Sequence, residues 1–161
     1  VTAEASRLEE LVGAVLDPEL RVITIGELGV LRSVDVGAQG HVRVVITPTY
    51  SGCPAMDAIR EDIVGALAEA GHPDAEIVTT LSPPWSTDMI TESGRTALAL
   101  AGIAPPHQAP RGSTVLLQIA PHCPRCGSGH TEQISRFGST ACQSIWRCTS
   151  CAEPFDAIRP F

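Results

Sequence analysis

The chain opens on a one-sided apolar stripe: Leu8, Leu11, Val12, Val15 and Leu16 recur at the spacing of one helix face. That helix should stop at Asp17-Pro18, because the residue before a proline is pushed out of the helical region. Two runs rich in β-branched residues follow, Val30–Val36 and His41–Thr47, separated by Gly37-Ala38-Gln39-Gly40, and predict an antiparallel hairpin that Pro48 ends. A second helical stripe, Met56, Ile59, Ile63, Leu67 and Ala70, closes at Gly71, a residue suited to the left-handed backbone after a helix. Glu76–Leu81 reads as a third strand and Ser82-Pro83-Pro84 as a stop. Ser86 or Thr87 then caps a last helix carrying Ile90, Ala97, Leu98 and Ala101 and ending at Gly102. The order helix, strand, strand, helix, strand, helix predicts an α+β fold, a small three-stranded mixed sheet packed by helices.

After residue 103 the pattern changes. Residues 104–112 hold three prolines and read as a stiffened linker. Residues 113–161 offer a short strand at Thr114–Ile119, two cysteine pairs, and little apolar material. A segment of that length needs a staple other than burial. The expected organisation is therefore a domain over 1–103, a linker over 104–112, and a ribbon module over 113–161 with strands near Gln133–Phe137, Ser144–Arg147 and Phe155–Ile158.

Composition narrows the function classes. Only 4% of the 161 residues are aromatic, so the core is aliphatic. A net charge of -7 argues against nucleic acid as partner, which needs clustered cations. The longest apolar run, Ala97–Pro106, is far short of the roughly 20 residues of a membrane span. With no signal-peptide pattern and with cysteines in metal-binding pairs, the expected location is the cytoplasm.

Cys123-Pro124-Arg125-Cys126 and Cys148-Thr149-Ser150-Cys151 are two knuckles 21 residues apart. Two such turns complete a closed tetrahedral site, for which zinc in a structural role is the first expectation. A rubredoxin-like iron site would use the same ligands. His122 and His130 flank the first knuckle and are expected to face solvent, since four thiolates saturate the ion. Cys142 is left over: either a small packed residue or a second exposed thiol that passes on a soft metal.

Cys53 stands apart, between the second strand and the second long helix, in Tyr50-Ser51-Gly52-Cys53-Pro54-Ala55-Met56. Pro54 suits a first helical position and makes Cys53 the expected N-cap, facing unpaired N–H groups and the positive helix end. Both favour thiolate, the form that attacks electrophiles and binds metals. The alternative is a buried core cysteine. Asp17-Pro18-Glu19 is an acidic turn that could also be no more than a helix-ending loop.

The stretches Asp17-Pro18-Glu19, Thr49-Tyr50-Ser51-Gly52-Cys53-Pro54 and Pro83-Pro84-Trp85-Ser86-Thr87-Asp88 resemble the metal–sulfur cluster biosynthesis family, which includes SufT-like proteins. With Phe137-Gly138-Ser139-Thr140-Ala141-Cys142 and the ribbon, the whole chain resembles the PaaD family, encoded with the phenylacetyl-CoA ring-epoxidising oxygenase of phenylacetate degradation. The resemblance implies a maturation role, delivering iron–sulfur or iron centres to the oxygenase system. The implied client is its ferredoxin-type reductase component, with the iron–sulfur assembly machinery as a further partner. Cys53 matches the family's key cysteine and Asp17 its acidic partner; Glu19, Thr49, Ser51 and Trp85 fall at motif positions.

One thiolate is too few for permanent binding, which suits a transient cluster or iron ligand. Further ligands could come from a client or from a second copy in a homodimer. Three readings compete: an assembly factor with no turnover of its own, a docking subunit of the oxygenase, and a cysteine-nucleophile enzyme. The last needs a Cys–His dyad, and only His41 and His72 lie in the first domain, neither well placed.

Overall fold

A computed structural model describes residues 3–107 and 120–159. It divides into two units, Val1–Trp85 with Met89–Thr91, and Ser86–Asp88 with Glu92–Phe161. The expected strand Thr114–Ile119 and linker residues 108–112 lie outside the described residues.

In the first unit the expected hairpin is present: β1 (Leu31–Val36) runs antiparallel to β2 (Val42–Ile46). β2 then pairs in parallel with β3 (Glu76–Thr79), giving the strand order β1-β2-β3 and the mixed sheet expected. Parallel neighbours cannot be joined by a tight turn, and α3 (Ala55–Glu69) supplies the crossover. Val42, Val44 and Ile46 alternate into the core while Arg43 points out to Glu76 at 3.4 Å. Ile59, Ile63 and Leu67 of α3 and Leu8 and Val12 of α1 (Ala3–Gly13) are buried as well. Burying each such side chain contributes about 1.5–3 kcal/mol.

The helix α1 ends at Gly13, four residues before the expected stop. Residues 14–17 leave the helix to pair backward: Ile25 N–H donates to the Val15 carbonyl (2.8 Å) and Asp17 N–H to that of Ile23 (3.0 Å). Leu16 is therefore 52% exposed rather than part of the core stripe, and Leu11, still within α1, is 36% exposed. Gly13 also lies against Gly26, where a side chain would come within 2.9 Å of the Gly13 carbonyl.

A one-turn helix, α2 (Ile25–Leu28), was not expected. Its capping box is complete: Glu27 N–H donates to Thr24 Oγ1 and Thr24 N–H to Glu27 Oε2, both at 3.1 Å. It closes at Gly29, whose φ of +77° and contact with Met89 leave no place for a side chain.

The second unit comprises α4 (Glu92–Leu100), β4 (Ile103–Ala104), β5 (Thr131–Ser135), β6 (Gln143–Cys148) and β7 (Pro154–Ile158). The sheet order is β4-β7-β6-β5, with β4 parallel to β7 and the other pairs antiparallel. The units thus divide before α4 rather than at residue 103, because Ile103 and Ala104 pair with Asp156 and Ala157 of the ribbon. Buried Arg95 on α4 donates to the carbonyls of Thr87 (2.6 Å) and Pro106. The ribbon core is small: Ala104, Cys123, Cys148, Phe155 and Ala157, with Trp146 against it. Arg125–Glu153 (2.6 Å) and Arg147–Glu132 pair on its surface. Among the described residues no helix is long and apolar enough to cross a membrane.

Candidate thiol and metal sites

The loop after β2 is a tight turn. Cys53 N–H donates to the Tyr50 carbonyl (3.3 Å), and Gly52 at the third position has φ +86°, the left-handed geometry a type II turn requires. Pro54 already has helical dihedrals (φ -68°, ψ -21°) and stands at the entrance of α3. The Cys53 sulfur accepts hydrogen bonds from the Ala55 N–H, a donor at the start of α3, and from the Tyr50 side chain.

Burial is the largest influence on this half-buried thiol. Together with the negative charges of Glu19 and Asp17, it outweighs the two hydrogen bonds and raises the thiol above its ordinary 9.0. The expectation of a stabilised thiolate is reversed: the surroundings of Cys53 favour the protonated thiol.

Asp17 is buried, and its Oδ1 accepts the N–H groups of Glu19 (3.0 Å) and Leu20 (2.8 Å). Burial nevertheless lifts its carboxyl above 3.8. The acidic turn is thus both a structural turn and a source of charge beside Cys53. The charges of Glu19 and Asp17 both bear on the Cys53 thiol. Thr49 is half-buried and Ser51 exposed on the same loop, and neither is among the groups that bear on the thiol. Trp85 is buried and donates from Nε1 to the Leu28 carbonyl (2.9 Å), anchoring its loop to α2.

Tyr50 is the residue that sequence reasoning missed. Its place at the first position of a Gly-containing turn ending in Cys53 was the available signal. His41 is exposed on the hairpin, and His72 pairs with Glu4 (3.7 Å) beyond the far end of α3. That helix of 15 residues is about 22 Å long.

In the second unit the sulfurs of Cys123, Cys126, Cys148 and Cys151 lie within 4.8 Å of one another. Two S–S separations, Cys123–Cys151 at 3.8 Å and Cys126–Cys148 at 3.6 Å, match the edge of about 3.8 Å in a tetrahedron of 2.3 Å zinc–sulfur bonds. The knuckles repeat each other: Gly127 (φ +74°) and Ala152 (φ +63°) each follow a second cysteine in left-handed geometry.

Backbone N–H groups converge on the sulfurs. Burial opposes ionisation of Cys148, but N–H bonds from Cys151 and Ser150, with help from neighbouring thiols, bring it down to about 6. For Cys151 the Glu153 N–H favours thiolate, yet burial and three adjacent thiols push it up to about 12. Four thiolates cannot coexist there without a cation, and a dication resolves the conflict. The donor set fits one tetrahedral soft metal ion.

His122 and His130 are exposed, as expected. Cys142 is 7% exposed, with its sulfur 2.9 Å from Thr140 Oγ1, so the packed reading describes it and the exposed-thiol reading does not.

The first unit has the fold of a known class, the small α+β proteins of iron–sulfur cluster assembly. Residues 6–78 match the iron–sulfur cluster assembly protein family, and residues 107–159 match the PaaD zinc beta ribbon domain. The chain belongs to the iron–sulfur cluster assembly family, in the form that carries a PaaD ribbon. It is 43% identical, over 92% of its length and 88% of the relative's, to an Escherichia coli protein provisionally named as a component of 1,2-phenylacetyl-CoA epoxidase. It is 36% identical over 54% of its length to the Fe-S protein maturation auxiliary factor SufT of Staphylococcus aureus, covering 99% of that chain. Among solved structures, a DUF59 domain from Bacillus anthracis superposes with a TM-score of 0.57 at 27% identity, covering 61% of this chain and 93% of that one.

Proposed function

We propose that this chain is a maturation factor for the phenylacetyl-CoA epoxidase system, with Cys53 as the transient ligand for an iron–sulfur cluster or iron passed to a client. The observation that carries the reading is the position of Cys53: one half-buried thiol on a turn, with Asp17 and Glu19 acting on it. Whole-length similarity to the epoxidase protein and domain-length similarity to maturation factors support it.

The chemistry follows from charge. Burial and the two carboxylates favour the protonated, less reactive thiol. The same carboxylates favour an arriving cation, which displaces the thiol proton as the sulfur binds. A single protein ligand leaves the cargo free to move to a client with more thiolates. The resemblance points to the ferredoxin-type reductase component as that client. The ribbon's ion, which we take as zinc, has a structural role and stays in place.

Anaerobic reconstitution with iron and sulfide tests this. Wild type should gain labile iron and a visible charge-transfer band beyond the ribbon's one ion, and Cys53→Ala should not. Equal iron in both proteins, or none in either, overturns the assignment of Cys53. The relative's name as an epoxidase component favours a second reading, that of a docking protein which would co-purify with the epoxidase at fixed stoichiometry.

A further inference from the structure

Among the described strands β5 is an edge of the ribbon sheet, with Ile134 56% exposed and Phe137, just beyond its end, 63% exposed. Among the Phe, Tyr and Trp side chains of the described residues, Phe137 is the one that is exposed. The loop that presents it is firmly held. Phe137 N–H donates to Ser135 Oγ (3.2 Å), whose hydroxyl donates back to the Phe137 carbonyl (2.8 Å). Gly138 N–H donates to the Gln143 carbonyl (2.8 Å), and a side chain at Gly138 would meet Asp156 and Gln143 at 2.9 Å. Buried Gln143 accepts the Ser139 hydroxyl at 2.6 Å. The Arg159 guanidinium lies 5.0 Å over the ring and donates to the Ala141 carbonyl (2.8 Å).

A ring fixed before binding loses little freedom when it is captured. Two arginines stand beside it in a chain of net charge -7, with the Asp156 carboxylate against the adjacent Gly138: Arg159 covers one face of the ring, and exposed Arg136 forms no ion pair among the described residues. Aromatic rings beside arginines are the composition of interface hot spots. The strand edge itself is poorly suited to receiving another strand, because the register shifts between Gln133 and Ser135 and a bulge interrupts the ladder. Recognition here runs through side chains.

We propose that Phe137, flanked by Arg136 and Arg159, is the anchor by which the ribbon docks onto a client protein that offers an apolar pocket with an acidic rim. The inference rests on the maturation reading in one respect: the client is taken to be a protein of the epoxidase system. It assigns a separate task to each unit, docking to the ribbon and cargo to the Cys53 loop.

The test is binding of the full-length, metal-loaded chain to each purified component of the epoxidase, immobilised in turn. Phe137→Ala should weaken binding to the client by at least about tenfold. Arg136→Glu should slow association and flatten its salt dependence. Metal content and Trp146 fluorescence report folding, and Arg136→Glu, on an exposed side chain, keeps the test available if Phe137→Ala misfolds. If the wild type and both variants bind a component equally, the docking proposal falls and the maturation reading stands. If the wild type binds no component, both fall.

Discussion

Tyr50 and Cys53 are joined twice across one turn: the Cys53 N–H donates to the Tyr50 carbonyl at 3.3 Å, and the Tyr50 side chain donates to the Cys53 sulfur. The second bond opposes burial, Glu19 and Asp17, all of which hold the proton on the thiol. The alkylation rate of Cys53 by iodoacetamide should therefore rise through an inflection above pH 9.0. Tyr50→Phe should move the inflection up and Glu19→Gln should move it down. Because the folded state holds this proton more tightly than the unfolded chain does, Cys53 favours the fold below pH 9.0 and loses that contribution as pH rises through its folded value. Shifts of the same sign in both variants would refute the arrangement.

Gly29 is the tightest point of the first unit. An added Cβ would sit 2.6 Å from the Met89 Cβ at a backbone φ of +77°. Gly29→Ala should cost about 2 kcal/mol or more, from overpacking and left-handed strain combined. Urea unfolding followed by Trp85, which is hydrogen-bonded to the neighbouring Leu28, measures it.

Ala152 sits at φ +63° where the first knuckle has Gly127. Ala152→Gly should relieve the left-handed penalty and, after the entropy gained by the unfolded chain, stabilise the ribbon by about 0.5 kcal/mol. Gly127→Ala should do the reverse. Chelator competition for the bound ion resolves both changes.

Metal removal should act on one unit. Ribbon folding rests on ion binding worth on the order of 10 kcal/mol, whereas the first sheet has its own aliphatic core. Each unit carries one tryptophan, Trp85 and Trp146. In single-tryptophan variants, a chelator should change the Trp146 signal and leave Trp85 unchanged. A parallel loss of both signals would show that the units unfold together.

The long periodic segments were legible before any coordinates. Ile59, Ile63 and Leu67 announced α3, and the β-branched runs announced the hairpin, because burial dictates both patterns. Elements too short to show a period were not: α2 is four residues long and β4 two. The Thr24–Glu27 capping box was nonetheless present as a local signal. The end of α1 was misplaced because Val15 and Leu16 extend the helical spacing while their backbone pairs with residues 24–25. The four ribbon cysteines were readable because their spacing alone defines the site. The protonation of Cys53 was not, since it depends first on how far the fold buries the sulfur and then on the charges of a distant acidic turn.

The surface ion pairs Arg43–Glu76, Arg60–Asp57, Arg125–Glu153 and Arg147–Glu132 share one property: every cation is arginine. The sequence contains no lysine at all. Guanidinium groups keep their charge at any pH a folded protein meets, and no side-chain amine exists to be acetylated or captured by amine-directed crosslinkers. The positive half of this molecule's charge pattern is consequently fixed. Its electrostatic tuning passes through carboxylates, histidines and thiols, and a map of its complexes by crosslinking has to start from those groups.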